Sequence, residues 1–257
     1  MSQFQVTILG CGSAMPTTLH NPPSQLINMN GKLFMIDCGE GTQLQMRKFR
    51  ARMSKLRGLF ISHLHGDHFF GLPGLITTLS MLGRTSDLNI YAHEEIRLML
   101  NPLLMYIGHH MQFKINLIPL NPERHELLLE DESIQISSFP LKHRIAANGF
   151  RFEMKKSSRA YAYCSDTAYH PEIVPLIQGV DLLYHEATFA ESERERAAET
   201  YHSTAREAAE IAKMAGAKKL VIGHYSSRYN ELGILLKEAV EVFPNSELAV
   251  EGKVFEV

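Results

Sequence analysis

The chain has 257 residues, a net charge of −2, 45% hydrophobic residues and 21% charged ones. This balance is that of an ordinary globular protein with length for a sizeable core. It does not advertise nucleic-acid binding as a whole, so any such contact must rest on local patches. Three widely spaced cysteines (Cys11, Cys38, Cys164) exclude a disulfide framework and fit a reducing compartment. The start, Met1 to Val6, has neither a basic segment nor an apolar one, so no leader is expected, and no apolar run reaches membrane-spanning length. The expected location is the cytoplasm, with no membrane contact.

Phe4 to Leu9 alternates and predicts a strand. It runs into Gly10-Cys11-Gly12-Ser13-Ala14-Met15-Pro16, which reads equally as a phosphate-cradling loop or a tight turn. Gln25 to Met29 and Lys32 to Asp37 predict two strands joined by Asn30-Gly31, a strong hairpin signal. A helix is expected from about Thr42 to Met53. With its exit it bears Arg47, Lys48, Arg50, Arg52, Lys55 and Arg57, the one dense basic run. The reading favoured for that run is a solvated helix face; contact with phosphates is the alternative.

Gly58 to Ser62 predicts a strand feeding His63-Leu64-His65-Gly66-Asp67-His68. A helix is expected over Phe69 to Leu82, a short strand over Leu88 to Tyr91, and a helix over His93 to Ile107 interrupted at Asn101-Pro102. His109-His110 has no nearby carboxylate and reads as structural or solvent-facing. Strands are predicted over Gln112 to Leu120, Glu126 to Glu130, Ser133 to Phe139, Gly149 to Met154 and Ala160 to Cys164. The last two form a hairpin through Lys155-Lys156-Ser157-Ser158. Further on come a strand over Val180 to Tyr184 and an exposed charged segment over 191–200. A helix over Ala205 to Ala215 follows, with Ser203 or Thr204 as its cap. A strand over Lys219 to Gly223, a helix over Arg228 to Phe243 and two short strands close the chain. Strands and helices alternate in both halves, which predicts one α/β domain built from two similar halves.

Five strand ends bear metal-ligating or acid–base side chains: the cluster 63–68, His143, Asp166, His185-Glu186 and His224. Imidazole and carboxylate suit zinc and similar divalent ions. A lone histidine at a strand end is usually a satisfied polar residue. Five occurrences, each behind an apolar strand, point to one site beyond the strand ends.

The pattern His63-x-His65-x-Asp67-His68, then His143, Asp166 and His224, resembles the metallo-β-lactamase fold, a four-layer αββα sandwich of two mixed sheets. Finer stretches resemble the ribonuclease Z family of tRNA 3′-processing endonucleases. They are Asp37-Cys38-Gly39-Glu40-Gly41, the run from Phe60 to Gly74, Pro140-Leu141-Lys142-His143-Arg144, His185-Glu186-Ala187-Thr188, His202-Ser203-Thr204 and His224-Tyr225-Ser226. The resemblance implies a two-metal phosphodiesterase that removes 3′ trailers from precursor tRNA. His63, His65 and His143 would hold one divalent ion, and Asp67, His68 and His224 a second. Asp166 and a water would bridge them. The ions would be zinc, or else manganese. Asp67 would also orient the attacking water, and His202 would protonate the departing 3′-oxygen with Glu186 orienting its ring. A homodimer is implied as well.

Two features depart from the family. Its flexible tRNA-gripping arm has no counterpart at about 155–159, where one strand passes directly into the next, so the chain reads as a single hydrolase domain over 1–257. The loop 16–21 also lacks the basic residue that the family often has near His20. The alternative substrate is therefore a smaller phosphodiester, or another small ester or lactam handled by the same fold. A non-catalytic scaffold is a third reading, and the complete ligand set argues against it.

Overall fold

A computed structural model describes residues 3–257. Met1 and Ser2, part of the stretch read above as lacking a leader, lie outside the described residues. Two compact units emerge. The first comprises residues up to Gly10, Ala14–Leu120 and Glu251–Glu256; the second comprises Cys11–Ser13, Asn121–Val250 and Val257.

The first unit is built on β1 (Phe4–Gly10), β2 (Ser24–Met29), β3 (Lys32–Ile36), β4 (Leu56–Phe60), β5 (Leu88–Ala92), β6 (Ile115–Pro119) and β14 (Val254–Glu256), in the order β14-β1-β2-β3-β4-β5-β6. The hairpin between β2 and β3 turns on Asn30 (φ 52°) and Gly31 (φ 81°), the two left-handed residues that such a turn requires. β14, β1, β2 and β3 pair antiparallel; β3, β4, β5 and β6 pair parallel. Helices α1 (Thr42–Lys48), α2 (Gly66–Phe69), α3 (Leu72–Met81) and α4 (Arg97–Ile107) connect the parallel strands. Leu72, Leu75, Ile76 and Leu79 of α3 join Met35, Leu59 and Ile90 of the strands in one buried cluster. Burying each such side chain contributes about 1.5–3 kcal/mol.

The second unit repeats this plan. Its strands are β7 (Glu126–Glu130), β8 (Ile134–Pro140), β9 (Asn148–Met154), β10 (Arg159–Cys164), β11 (Leu182–Glu186), β12 (Lys219–Gly223) and β13 (Ser246–Leu248). β7 to β10 pair antiparallel and β10 to β13 pair parallel. Helices α5 (Arg194–Thr200), α6 (Ala205–Met214) and α7 (Gly233–Val242) belong to it. Thr204 caps α6 in a full capping box with Glu207, and Ala205, Ala208, Ala209, Ile211 and Ala212 form its buried stripe. β9 and β10 are joined by the four-residue turn 155–158 alone.

Several boundaries differ from expectation, each for a local reason. The helix expected to reach Met53 stops at Lys48, because Arg50 adopts φ 55° and Ala51 N–H bonds back to Met46 O, a left-handed C-terminal cap. The helix expected over 69–82 is two, α2 and α3, broken at Phe70-Gly71. There Gly71 lies against the Gly39 carbonyl, where a Cβ would approach to 2.1 Å. Pro102 does not interrupt α4, which runs through it. The last helix begins at Gly233 rather than Arg228, since Tyr229 turns back onto Ser226 and its hydroxyl accepts from Ala190 N–H. Among the described residues, no helix is long and apolar enough to cross a membrane.

Candidate functional site

In each unit the candidate side chains gather mostly at the C-terminal ends of parallel strands, with His143 after the antiparallel β8 and His202 after α5. β4 delivers Ser62 and His63, and the short helix α2 presents Asp67 and His68 directly afterwards. His63 and His68 are fully buried, while His65 and Asp67 are half-buried. His63 Nε2 and His65 Nδ1 are 3.0 Å apart. Asp67 Oδ2 accepts the Ala14 N–H at 2.9 Å and lies 3.5 Å from His68 Nε2.

Behind these groups stands Asp37, just past the end of β3 with φ 54° and no exposed surface. One carboxylate oxygen accepts the Ser62 N–H at 2.8 Å; the other accepts the Ser62 hydroxyl at 3.0 Å and lies 2.9 Å from His68 Nδ1. A carboxylate only accepts, so His68 bears its proton on Nδ1 and presents the Nε2 lone pair. The backbone packs closely here: Cys38 N–H donates to His68 O, and a Cβ on Gly39 would meet Asp67 O at 2.3 Å.

The second unit applies the same device. His143 Nδ1 donates to the Tyr201 carbonyl at 2.9 Å, which again leaves the Nε2 lone pair to be presented. Thr188 Oγ donates to Glu186 Oε2 at 2.8 Å and so accepts from His224 Nδ1 at 2.9 Å. His224 Nε2 then faces Asp166 Oδ1 at 3.1 Å. Two acceptors so close repel unless a cation lies against both, and His143 Nε2 also faces Asp166, at 3.9 Å. The donor set therefore fits a divalent metal.

Glu186, the last residue of β11, is fully buried and holds His202 Nδ1 at 2.8 Å. It also accepts from Thr167 N–H, Thr188 N–H and the Thr188 hydroxyl. Burial opposes its charge, yet the neighbouring His202, reinforced by its hydrogen bond and by His224, holds the carboxyl below the ordinary value of 4.5. His202 is stacked on His224 and lies 5.2 Å from His143, ring centre to ring centre. The geometry of Glu186 and His202 is that of an oriented proton donor beside ligand-type side chains.

Every expected site residue therefore has a place. His63, His65, Asp67 and His68 gather in the first unit, and His143, Asp166, Glu186, His202 and His224 in the second. Sequence reasoning places Asp37, Ser62 and Thr188 within motifs but gives no role to them or to the Tyr201 carbonyl, which hold the rings of His68, His63, His224 and His143. Asp37 alone had a readable signal, a carboxylate at a strand end beside the one that feeds His63. His185 alternates away from Glu186 along β11; it is buried, donates from Nδ1 to the Glu186 carbonyl, and burial lowers its pKa.

The remaining motifs resolve as structure. The loop after β1 spends its amides within the protein, Ser13 N–H on Tyr225 O and Ala14 N–H on Asp67, so the turn reading holds over the phosphate one. His109 and His110 are exposed in a single 3-10 turn. The basic run follows α1 away from the cluster. Arg50, Arg52 and Lys55 line a groove of about 550 Å3 with Gln3, Gln5 and Asn28, at the other end of the strands from His63. Burial pushes the Cys38 thiol up to about 12 and the Cys164 thiol higher still, and among the described residues neither lies in a cluster of metal-ligating side chains.

Comparison with known proteins agrees with this arrangement. Residues 33–225 match the model of the beta-lactamase superfamily domain. A protein named Ribonuclease Z from Parabacteroides distasonis is 46% identical over 299 aligned positions, covering 98% of each chain. Another Ribonuclease Z, from Porphyromonas gingivalis, is 47% identical over 95% of each. Among solved structures, the short form of human tRNase Z superposes with a TM-score of 0.83 at 32% identity, covering 98% of both chains.

Proposed function

We propose that this chain, which belongs to the ribonuclease Z family of the β-lactamase superfamily, is a two-metal endonuclease that removes the 3′ trailer from precursor tRNA. The observation that supports this most is the Glu186–His202 pair at 2.8 Å. Hydrolysis of an activated ester has no need of a buried carboxylate holding a proton donor, whereas expulsion of a ribose 3′-oxygen does.

In this reading His63, His65 and His143 would hold one ion, Asp67, His68 and His224 would hold the other, and both would share Asp166. Zinc is the metal, with manganese as the alternative. When bound, two divalent ions lower the pKa of a water and clamp an in-line displacement at phosphorus. The protein's own part is positional and acid–base. Asp37, Thr188 and the Tyr201 carbonyl lock the rings of His68, His224 and His143, so that no ordering cost is met during turnover. Asp67 orients the attacking water and takes its proton. Glu186 favours the cationic form of His202, whose Nε2 delivers a proton to the departing 3′-oxygen. The products are a 3′-hydroxyl on the RNA body and a 5′-phosphate on the trailer. The enzyme works as a cytoplasmic homodimer, a reading that rests on the family alone.

A second reading has its own support. The turn 155–158 has no room for an arm, and the alignment with the Parabacteroides protein is longer than this chain. A single hydrolase domain over 1–257 without that arm could serve a smaller phosphodiester. Assaying precursor tRNA beside a small aryl phosphodiester separates the two. Trailer removal is expected; turnover of the small ester with intact precursor would leave only the second.

A further inference from the structure

Beside His202 opens a cavity of about 340 Å3, the size of a small-ligand pocket. Lys142, Tyr169, Tyr201 and Glu207 form its wall, with Ala168 and Ala198. His202 itself lines it, and the proposed mechanism gives no role to the cavity or to the side chains of its other lining residues.

Its walls are set from behind. Lys142 has its N–H on Thr167 Oγ and its carbonyl on Ala168 N–H, which leaves the ammonium as the polar group it can present on the rim. The Tyr169 hydroxyl is hydrogen-bonded to Glu210, which fixes the ring from its far end. Glu207 is engaged by Thr204 N–H and Arg194, so the one carboxylate in the wall is already balanced. Tyr201 is in the left-handed conformation, φ 60° and ψ 45°. That conformation is unfavourable for a bulky residue and tends to persist where function uses it. Here one residue turns its carbonyl onto His143 and also lines the pocket. Two aromatic rings and a cation are the groups with which proteins take an unpaired nucleotide: rings against the base, cation on the phosphate.

We infer that this pocket seats the base of the last nucleotide that the RNA product retains, with Tyr169 and Tyr201 against its face and Lys142 toward the adjoining phosphodiester. The inference rests on the proposed function, because His202 hands its proton to the 3′-oxygen of that nucleotide, which puts its sugar beside the pocket mouth. Tyr169 and Tyr201 then determine specificity for the RNA end.

The test uses the metal-loaded protein and two short oligoribonucleotides ending in a 3′-hydroxyl, labelled at the 5′ end. They are identical except that one lacks its last base. Fluorescence anisotropy gives the ratio of their dissociation constants. The wild type should bind the complete oligonucleotide about tenfold more tightly, within the range of a single base–aromatic stack. Tyr169→Leu should bring the ratio close to one. Tyr201→Asn should do the same while keeping the left-handed backbone, which asparagine tolerates. Lys142→Ala should weaken both oligonucleotides alike and leave the ratio near tenfold. Folding is checked by circular dichroism, and the ratio is taken within each variant. Equal binding of the two oligonucleotides by the wild type, no binding of either, or a ratio unchanged in both tyrosine variants overturns the inference. A protein that keeps the ratio but leaves precursor tRNA uncut would sink the trailer-removal reading and leave the pocket standing.

Discussion

Replacing His202 with alanine tests the proton donor in a way that metal ligation cannot mimic. The ring is held at 2.8 Å by Glu186, and its loss removes one of four hydrogen bonds to that carboxylate. Thr167 N–H and Thr188 N–H remain at 3.0 Å and the Thr188 hydroxyl at 2.8 Å. Glu186 therefore stays solvated by the protein, and Thr188 still holds His224. The stability cost should be that of a single charge-assisted bond, about 1.5–3 kcal/mol, and both metals should stay bound. The effect on rate is larger. A positioned general acid supplies roughly 10²–10⁴-fold, or about 3–5 kcal/mol of barrier, but only where the leaving oxygen needs a proton. The assay is kcat/KM over a series of phosphodiesters, from nitrophenyl through phenyl to alkyl leaving groups and then precursor tRNA. His202→Ala should lose little on the nitrophenyl ester and about 100-fold or more on the RNA, with loss rising as the leaving group becomes more basic. An equal loss across the series, or a loss that tracks metal content, would refute the assignment.

Other outcomes follow from the groups behind the ligands. Asp37→Asn weakens the hold on His68 Nδ1 and should reduce metal affinity about 10- to 100-fold, read by competition with a chelating indicator; unchanged affinity would remove Asp37 from the site. Thr188→Val takes away the partner of His224 Nδ1 and should lower affinity by about tenfold on the same scale. Gly39→Ala places a Cβ 2.3 Å from the Asp67 carbonyl; it should lower Tm and metal affinity together, and a variant that matches the wild type in both would show that the packing gives more easily than described. Glu186 has a folded pKa below 4.5, so the stability it contributes is present above that value and is lost as pH falls through the folded pKa. The urea stability of the wild type minus that of Glu186→Gln should accordingly shrink below about pH 4.5; a difference that grows with acidification contradicts the sign.

How much of this was legible in the sequence depends on what each feature needs. Strand ends such as Ile61-Ser62-His63 and Ile222-Gly223-His224 are short apolar runs followed at once by ligands, so both the strand and its chemistry show in local residue order. Helix ends showed less. Nothing in Phe49-Arg50-Ala51 announces that Arg50 takes the left-handed conformation that stops α1. Pro102 signalled a break that did not occur: α4 runs through it on an exposed stretch, where water can serve the Leu98 carbonyl that lacks an N–H partner. Asp37 showed only as a strand-end carboxylate, and Thr188 and the Tyr201 carbonyl were less visible still. They act across 31, 36 and 58 residues of separation, and a backbone carbonyl leaves no mark on side-chain identity. The alternation of strands and helices does predict two similar halves; the three antiparallel and three parallel pairings within each emerge only from pairing.

The account turns on which bond is broken and on which side of phosphorus. Mapping the ends of the RNA products settles this most directly. A precursor tRNA incubated with the metal-loaded protein should yield a body ending in a 3′-hydroxyl and a trailer beginning with a 5′-phosphate. A 2′,3′-cyclic phosphate on the body, or an uncut precursor under conditions that hydrolyse a small aryl phosphodiester, would contradict it.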